Sequence, residues 1–384
     1  MGVFAFNWKG SRKCNSGMLL RKIRKKIFDV IVIGAGPAGS VTAKRCADQG
    51  LETLLLEKRK LPREKVCSGI LFSRSAKALV EQEFGQLPQD IVLANLAGLI
   101  LWVPDAGQRK INVHMPICWR KDLDYWMNQR AKEGGVEIFD GTKVRHVCAD
   151  DGICKVEVER KGIRHELKAR FVVGADGANS TCRKSLFPEV KVRYNTAFRE
   201  CYRGSLNLEK GYSYIVFPYK QYRPNFWINP KGDCYTLEGA LKELKIEIRS
   251  LLSSYGFTEP IPLWKDGCLG RALLFEHLLL GSFKPGKGNV LLVGDAAGLK
   301  IPISGEGINT AIKSGFLAAN SIVEAARTTR TVLKIYLDEL TPLLENLRSY
   351  YLRLDEIGEK IQKRPQDFLA ALTEAFEESI EKEI

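Results

Sequence analysis

The sequence predicts an α/β fold joined to an α+β second domain, with helices at the C-terminal end. Three observations predict it. A β-branched run, Phe28-Asp-Val-Ile-Val-Ile33, opens directly into Gly34-Ala-Gly36-Pro-Ala-Gly39 and then a helix-compatible stretch. Two later apolar runs, ending at Gly174 and Gly294, also break into acid–glycine turns, so three buried strands finish at the same kind of polar end. Between those two runs lies a long β-rich segment, so the first domain is interrupted by the second. With 384 residues the chain holds two domains at roughly 100–200 residues each.

Composition narrows the function classes. Hydrophobic residues make up 45% and charged residues 27%, the balance of a folded protein and not of a disordered or fibrous one. The net charge of +14 comes from 59 basic and 45 acidic residues. Residues 1–26 hold eight of the basic ones and no acid, which leaves 51 against 45, or +6, for the rest. This leader reads either as an extension upstream of Met18 or as a polybasic contact to a membrane surface. Nucleic-acid binding would rest on charge alone and is not expected. The longest uncharged runs, 30–43 and 91–104, are too short for a membrane span of about 20 residues. The ten cysteines include no Cys-x-x-Cys pair and the four histidines are scattered, so no metal is expected. Without a secretion signal, reduced thiols and a cytoplasmic location follow, with peripheral membrane contact left open.

The elements follow in order. Residues 28–33 suit a strand buried on both faces. Gly34 permits a tight turn, Gly36 lets the backbone approach a pyrophosphate, and Gly39 lets the helix pack against the strand. The helix covers Ser40 to Gln49, and its N-terminus offers free N–H groups to phosphates. A second strand, Glu52 to Leu56, ends at Glu57, placed 18 residues after Gly39 to accept hydrogen bonds from a ribose. This unit binds a dinucleotide without separating NAD from FAD. Lys58, Arg59, Lys60, Arg63 and Lys65 then form a basic loop, either a solvated face or a contact to phosphate or a reductant.

Residues 91–114 read as short strands of a second sheet. Residues 119–177 return to the first with a helix, a strand and a β-meander (about 143–169). That stretch ends at Gly174-Ala-Asp176-Gly177-Ala-Asn-Ser180, where Ser180 caps or begins a helix. Residues 190–273 are β-rich (215–218, 225–228, 234–237) with one helix near 240–254. In the third motif, Gly294-Asp295, the acid stands at a strand end to bind a ribityl chain. Gly305-Glu306-Gly307-Ile308-Asn309 opens a helix to about Ala326, whose N-terminus favours negative charge on a reduced flavin. Residues 328–384 read as helices. The expected organisation is a leader (1–26), a discontinuous nucleotide domain (27–90, 115–185 and 286–327), a substrate domain (91–114 and 186–285) and C-terminal helices (328–384).

Together the three glycine–acid motifs resemble the FAD-dependent hydroxylase/reductase superfamily, over residues 28 to about 327. The resemblance implies a Rossmann-like FAD-binding domain of the glutathione-reductase type, with an interleaved β-rich substrate domain and a helical C-terminal tail. Within it the chain is most similar to the geranylgeranyl reductase family. Lys65-Val-Cys67-Ser68-Gly69 resembles that family's Lys-x-Cys-Gly-Gly loop near the flavin, with Ser68 in place of the first glycine. Arg120-Lys-Asp-Leu-Asp124 resembles its Arg-x-x-Leu-Asp helix start, whose Arg contacts FAD; without the resemblance Arg120 reads as a solvated helix residue. Val144 lies where that family's backbone holds the adenine. Tyr212-Ser-Tyr214-Ile-Val-Phe217-Pro218 resembles its Tyr-x-Trp-x-Phe-Pro strand, with one extra residue and Tyr for Trp.

The resemblance therefore implies cofactor contacts at Gly34, Gly36, Ala38, Gly39, Glu57, Cys67, Ser68, Gly69, Arg120, Val144, Asp176, Gly294, Asp295, Gly305, Gly307 and Ile308. It implies substrate contacts at Tyr212, Tyr214 and Phe217, whose alternation divides them between two faces. Cys67 is the candidate catalytic acid; a ring contact or plain space-filling stays open, and Glu306 is the other ionisable candidate. The implied reaction is reduction of C=C bonds in an isoprenoid lipid chain by hydride from flavin N5. Electrons would come from NAD(P)H or a ferredoxin, the latter as a redox partner protein. A flavin monooxygenase or dehydrogenase, and a non-catalytic prenyl-lipid carrier, are the competing readings.

Overall fold

The computed structural model describes residues 26–149, 152–217, 226–239, 246, 248–361 and 364–381. The leader up to residue 25, Pro218, Asn225 and the first part of the expected helix near 240–254 (240–245 and 247) lie outside the described residues.

In chain order the first βαβ unit is β1 (Ile27–Ile33), α1 (Pro37–Asp48) and β2 (Thr53–Leu56), followed by α2 (Arg74–Phe84). A hairpin of two 12-residue strands comes next, β3 (Val92–Val103) and β4 (Gly107–Cys118). Then come α3 (Arg120–Glu133), β5 (Glu137–Phe139) and a meander of β6 (Thr142–Cys148), β7 (Cys154–Arg160) and β8 (Ile163–Gly174), capped by α4 (Thr181–Leu186). The second interruption holds β9 (Arg193–Arg203), β10 (Tyr212–Val216), β11 (Phe226–Lys231), β12 (Cys234–Gly239), α5 (Arg249–Ser253), β13 (Trp264–Leu273) and α6 (Phe275–Leu279). The chain closes with β14 (Gly286–Lys287), β15 (Val290–Leu292), α7 (Ile308–Arg327), α8 (Val332–Ile361) and α9 (Pro365–Glu381).

The first sheet has the order β14-β15-β8-β1-β2-β5, with β6 and β7 attached through β8. β15, β8, β1, β2 and β5 are parallel, so the ends of β1, β8 and β15 stand side by side. Every residue from Val30 to Ile33 is buried, as a strand covered on both faces requires. Helix α1 lies close against α7 because Gly315 has no side chain: a Cβ there would fall 2.5 Å from the Ala38 carbonyl oxygen. Thr42 Oγ1 donates to Gly315 O at 3.0 Å across the same contact.

The second sheet, β13-β9-β12-β11-β10-β3-β4, takes its strands from the two interruptions. The hairpin continues to Cys118, past the expected return at residue 115, because the β3–β4 register runs unbroken to its end apart from two bulges. One face of this sheet (Ile100, Trp102, Tyr202, Tyr214, Phe226, Leu237) packs on Ile248, Leu252 and Phe257. The other face (Leu99, Leu101, Ile215, Phe217) joins the main core shared with the first sheet and the C-terminal helices. Those helices are integral to it: Tyr336 on α8 donates to Leu292 O on β15 at 3.0 Å. Phe368 and Phe376 on α9 each sit 6.1 Å from the Phe217 ring. Among the described residues no helix is long and apolar enough to cross a membrane, and no cluster of His, Cys, Asp or Glu is arranged to hold a metal.

Candidate functional site

The glycine turn between β1 and α1 is sterically forced. Gly34 has φ +108°, and a Cβ on it would sit 2.4 Å from Ala175 O. A Cβ on Gly39 would sit 1.8 Å from Gly34 O. Helix α1 starts at N-cap Gly36 with Pro37 following, no side-chain cap and no acid in its first turn. Ala38 and Gly39 therefore present uncapped N–H groups and a partial positive charge. Arg63 from the basic loop reaches over this helix end: its Nη2 lies 3.6 Å from the position of a Gly36 Cβ.

Glu57 is 4% exposed and built into the cradle. Its Oε2 accepts from Ala35 N at 3.1 Å and Arg63 Nε at 3.0 Å, and its Oε1 from Arg59 N at 2.9 Å. Its backbone carbonyl accepts from Thr142 N at 2.8 Å, which sets β6 and Val144 beside it. A bulge between Val144 and His146 breaks the ladder there and leaves main-chain groups for another partner.

The second and third motifs close on the same region. Asp176 Oδ2 accepts from Thr181 N at 2.6 Å and Cys182 N at 3.2 Å, while its buried Oδ1 has no partner. Ser180 is the N-cap of α4, its Oγ accepting from Arg183 N at 2.9 Å. Gly294 takes φ +53° at the end of β15, and its N–H donates to Ser314 Oγ at 2.9 Å. Asp295 follows, half-buried; a Cβ on Gly307 would lie 3.5 Å from its Oδ1. Gly305 takes φ +70°, and α7 begins at N-cap Gly307 with Ile308, again with no side-chain cap and no acid in the first turn. Two uncapped helix starts and three parallel strand ends thus share one edge of the sheet. The orphan Asp176 oxygen, the glycine cradle and the Asp295–Gly307 contact all fit a group carrying a pyrophosphate, two polyols and an anionic ring edge, as FAD does.

Sequence reasoning gave Arg183 no role. It is 4% exposed and donates to Ala296 O and Ala178 O, each at 2.6 Å, and to Tyr194 Oη at 3.2 Å, so it straps the second motif to the third. The only signal was its place in the Ser-x-x-Arg segment.

The Cys67 loop lies against the second sheet. Gly69 takes φ +71°, and a Cβ there would fall 2.0 Å from Cys118 O, so this position demands glycine. Cys67 Sγ accepts from Gly69 N at 3.5 Å. Burial pushes the thiol up, but the Arg120 guanidinium, the Gly69 N–H and Lys300 outweigh it, and the group ends below the ordinary thiol range. Arg120 is 7% exposed, donates to both oxygens of Asp124 (2.8 and 3.1 Å) and sets its charge near the Cys67 sulfur. Arg63 Nη1 meets the same Asp124 at 3.1 Å. A chain of ion pairs therefore runs Glu57–Arg63–Asp124–Arg120, from the cradle to the cation near the thiol. Of the basic loop, Arg63 reaches the buried Glu57 and Asp124, Lys65 is half-buried, and Lys58, Arg59 and Lys60 remain exposed.

Glu306 is 7% exposed, and neither carboxylate oxygen has a hydrogen-bond partner. Burial pushes it up to about 8, against a weaker opposing pull from the nearby Ser73 hydroxyl. The three expected substrate residues separate. Tyr212 donates to Asn112 Oδ1 at 3.1 Å, and the Tyr214 hydroxyl accepts from Glu209 N at 2.9 Å; both stand on the sheet face packed around Leu252 and Phe257. Phe217 alone joins the opposite side, with the Cys67 loop. The odd spacing from Tyr214 to Phe217 causes the division. On that side the structure adds an aromatic wall: Phe72 lies 5.8 Å from Trp227 and 6.1 Å from Phe376.

Comparison with known proteins agrees with this geometry. The FAD binding domain family matches residues 28–200 and 284–348. Digeranylgeranylglycerophospholipid reductase 1 of Methanopyrus kandleri is 31% identical over 335 residues, 81% of this chain and 85% of that protein. The chloroplastic geranylgeranyl diphosphate reductase of Arabidopsis thaliana is 27% identical, over 89% of this chain and 75% of that one. Among solved structures, a geranylgeranyl bacteriochlorophyll reductase-like protein of Thermoplasma acidophilum superposes with a TM-score of 0.72 at 22% identity, covering 92% of both chains. The flavin-dependent halogenase CmlS superposes at 0.68 and 16%, covering 90% of this chain and 68% of that one, which shows that the fold alone does not select the chemistry. With its cradle, its three strand-end motifs and relatives aligned over most of its length, the chain belongs to the geranylgeranyl reductase family of FAD-dependent oxidoreductases.

Proposed function

We propose that this protein reduces carbon–carbon double bonds in the isoprenoid chain of a lipid. The observation that carries the reading is the aromatic wall of Phe72, Phe217, Trp227 and Phe376 on the inner face of the second sheet, whose Phe72 follows the Cys67 loop in the chain. A hydrocarbon chain needs such a surface, and an isolated alkene reacts only when aligned and shielded from water. The relatives named above take digeranylgeranylglycerophospholipid or geranylgeranyl diphosphate as their substrates.

The chain's residues divide the work. Gly34, Gly36, Ala38, Gly39 and Arg63 receive the pyrophosphate, Glu57 the adenosine ribose and the Val144 backbone the adenine. Asp295, with Asp176 and Gly294 behind it, receives the ribityl chain. Gly305, Gly307 and Ile308 place the start of α7 at the pyrimidine edge. Cys67, Ser68 and Gly69 would lie by the flavin, and Arg120 would contact its phosphates or ribityl chain. FAD, once reduced by NAD(P)H or a ferredoxin, supplies the hydride. Cys67 holds the proton at Sγ for the second alkene carbon, and Arg120 and Lys300 stabilise the charge left on sulfur. Tyr212 and Tyr214 support the sheet from its outer face. A lipid substrate places the work at a bilayer surface.

The test is anaerobic incubation of the chemically reduced holoprotein with geranylgeranyl lipids, read by mass. Gain of two hydrogens per double bond is expected. Unchanged lipid, or an oxygenated product formed only in air, refutes the reading. A protein purified without a flavin spectrum would point instead to the carrier.

A further inference from the structure

The inner face of the second sheet carries a group of buried charges that the reaction as described does not use. Arg199 on β9 is 1% exposed and Lys231 at the end of β11 is 3% exposed. Burying two cations costs several kcal/mol each unless they are paired and fully hydrogen-bonded. Both direct their charge at one short stretch of main chain. Arg199 Nη1 donates to Cys67 O at 3.1 Å. Lys231 Nζ donates to Ser68 O and, at 2.9 Å, to Cys118 O, so it bolts the loop to the end of β4. The two cations also share an aromatic seat. Arg199 lies 4.6 Å from the Trp264 ring, Lys231 lies 4.6 Å from the Trp119 ring, and the two indoles meet edge-on at 5.8 Å.

The strand register sets the counter-charges. Glu238 on β12 stands directly opposite Arg199, and Asp266 on β13 stands opposite it on the other side. Arg199 is thus flanked by a carboxylate from each neighbouring strand, and it bonds both Asp266 oxygens at 3.1 and 2.7 Å. Glu238 is held by Thr236 Oγ1 at 3.0 Å.

We propose that Arg199, Lys231 and Glu238 are positioning residues for Cys67: the two cations clamp the main chain of its loop, and the three together set the charge that its sulfur faces. The proposal deepens the reading of Cys67 as the proton-bearing group and rests on it. The residues act through the loop and its field and do not touch the reacting carbons.

The charges around the sulfur come from every element packed on it. They are Arg120 with its partner Asp124 on α3, Arg199 on β9, Lys231 on β11, Glu238 on β12, Asp266 on β13 and Lys300 in the loop before α7, with the Cys118 and Cys268 thiols also near. Cations favour the thiolate and Glu238 opposes it. Burial pulls Lys231 down to about 8, countered by Glu238 and Cys67, so its charge is sensitive to the same cluster. Burial pushes Glu238 above the ordinary carboxylate range, against the pull of Lys231 and Arg199.

The two signs make the test. Cys67 is half-buried in the chain itself, so a small alkylating reagent is the probe, used on the holoprotein. The rate of iodoacetamide labelling is followed against pH by mass of the Cys67 peptide. Lys231→Met should move the midpoint of the rate profile up by roughly one pH unit, a several-fold slowing near neutrality. Glu238→Gln, nearly isosteric, should move it down, and Lys231→Arg should restore the wild-type profile. A loop that had merely loosened would shift both variants the same way. Shifts in one direction, or none in the isosteric Glu238→Gln, overturn the proposal. The labelling needs no lipid, so its outcome is separate from that of the reductase assay.

Discussion

Glu306→Gln gives the sharpest single measurement of how this site is built. The carboxyl sits between Gly305 and Gly307, 7% exposed, with both oxygens unpartnered. Its value is about 8 in the folded protein against 4.5 when solvated, a gap of about 3.5 units. At about 1.36 kcal/mol per unit, the linkage reaches roughly 5 kcal/mol. The sign follows from proton counts. Between 4.5 and about 8 the unfolded chain has released this proton while the folded chain keeps it, so the native state binds more. Stability therefore falls as pH rises through that window, and levels off above the folded value. Glutamine removes the titration and keeps the shape. Urea unfolding of holoprotein with flavin in fixed excess, followed by circular dichroism from about pH 5 to pH 9, measures the difference. All other titrating groups are common to both proteins and cancel. Glu306→Gln should gain on the wild type progressively with pH, by several kcal/mol at the alkaline end, a large fraction of a typical total of about 5–15 kcal/mol. Parallel curves, or a wild type that gains on the variant as pH rises, would refute the burial argument.

Two further predictions follow from the strand ends and the sheet faces. Asp295→Ala removes the carboxylate packed against Gly307 and should abolish flavin retention through gel filtration; a variant that stays yellow and fully loaded would remove Asp295 from the cofactor site. Tyr214→Phe deletes a hydroxyl that only accepts from Glu209 N, so it should cost about 1 kcal/mol of stability and leave turnover unchanged, whereas Phe217→Ala should raise KM for the lipid; equal kinetic effects would contradict the division of faces.

The nucleotide cradle was legible in the sequence because its constraints are local. Gly34 is fixed by the positive φ of its own turn, Gly39 by its contact with Gly34 inside that turn, and the run 28–33 by its own burial. Glu57 and Asp295 are read from the strand ends that carry them. Alternation along 212–217 was equally legible and split Tyr212 and Tyr214 from Phe217, but nothing in the strand itself says which face meets the cofactor. That depends on where α9 lies, and α9 is more than a hundred residues away. Arg199 and Lys231 were invisible for the same reason. Their partners are the carbonyls of Cys67 and Ser68, at sequence separations of 132 and 163, and a main-chain acceptor leaves no mark in the amino-acid pattern. Arg183 lay within a recognised motif, yet its partner Ala296 is 113 residues on.

The inner sheet face also shows why charge and hydrocarbon can work side by side. Its polar strip runs along β9, β12 and the end of β11, where Arg199 pairs with Asp266, Arg199 and Lys231 hold the carbonyls of the Cys67 loop, and Glu238 accepts from Thr236. Its apolar wall runs over β10 and α9. Trp227 on β11 is the seam: it stands across the ladder from Glu238 and edge-on to Phe72 at 5.8 Å. Charges already spent on carbonyls and on each other repel an apolar chain less than unpaired ones would, because the desolvation cost is met before the lipid arrives. Breaking one partner exposes that cost. Trp227→Ala, which removes the seam and leaves the charges paired, should therefore weaken lipid binding while leaving the Cys67 labelling profile in place. A shift of that profile would mean that the wall and the strip are one device.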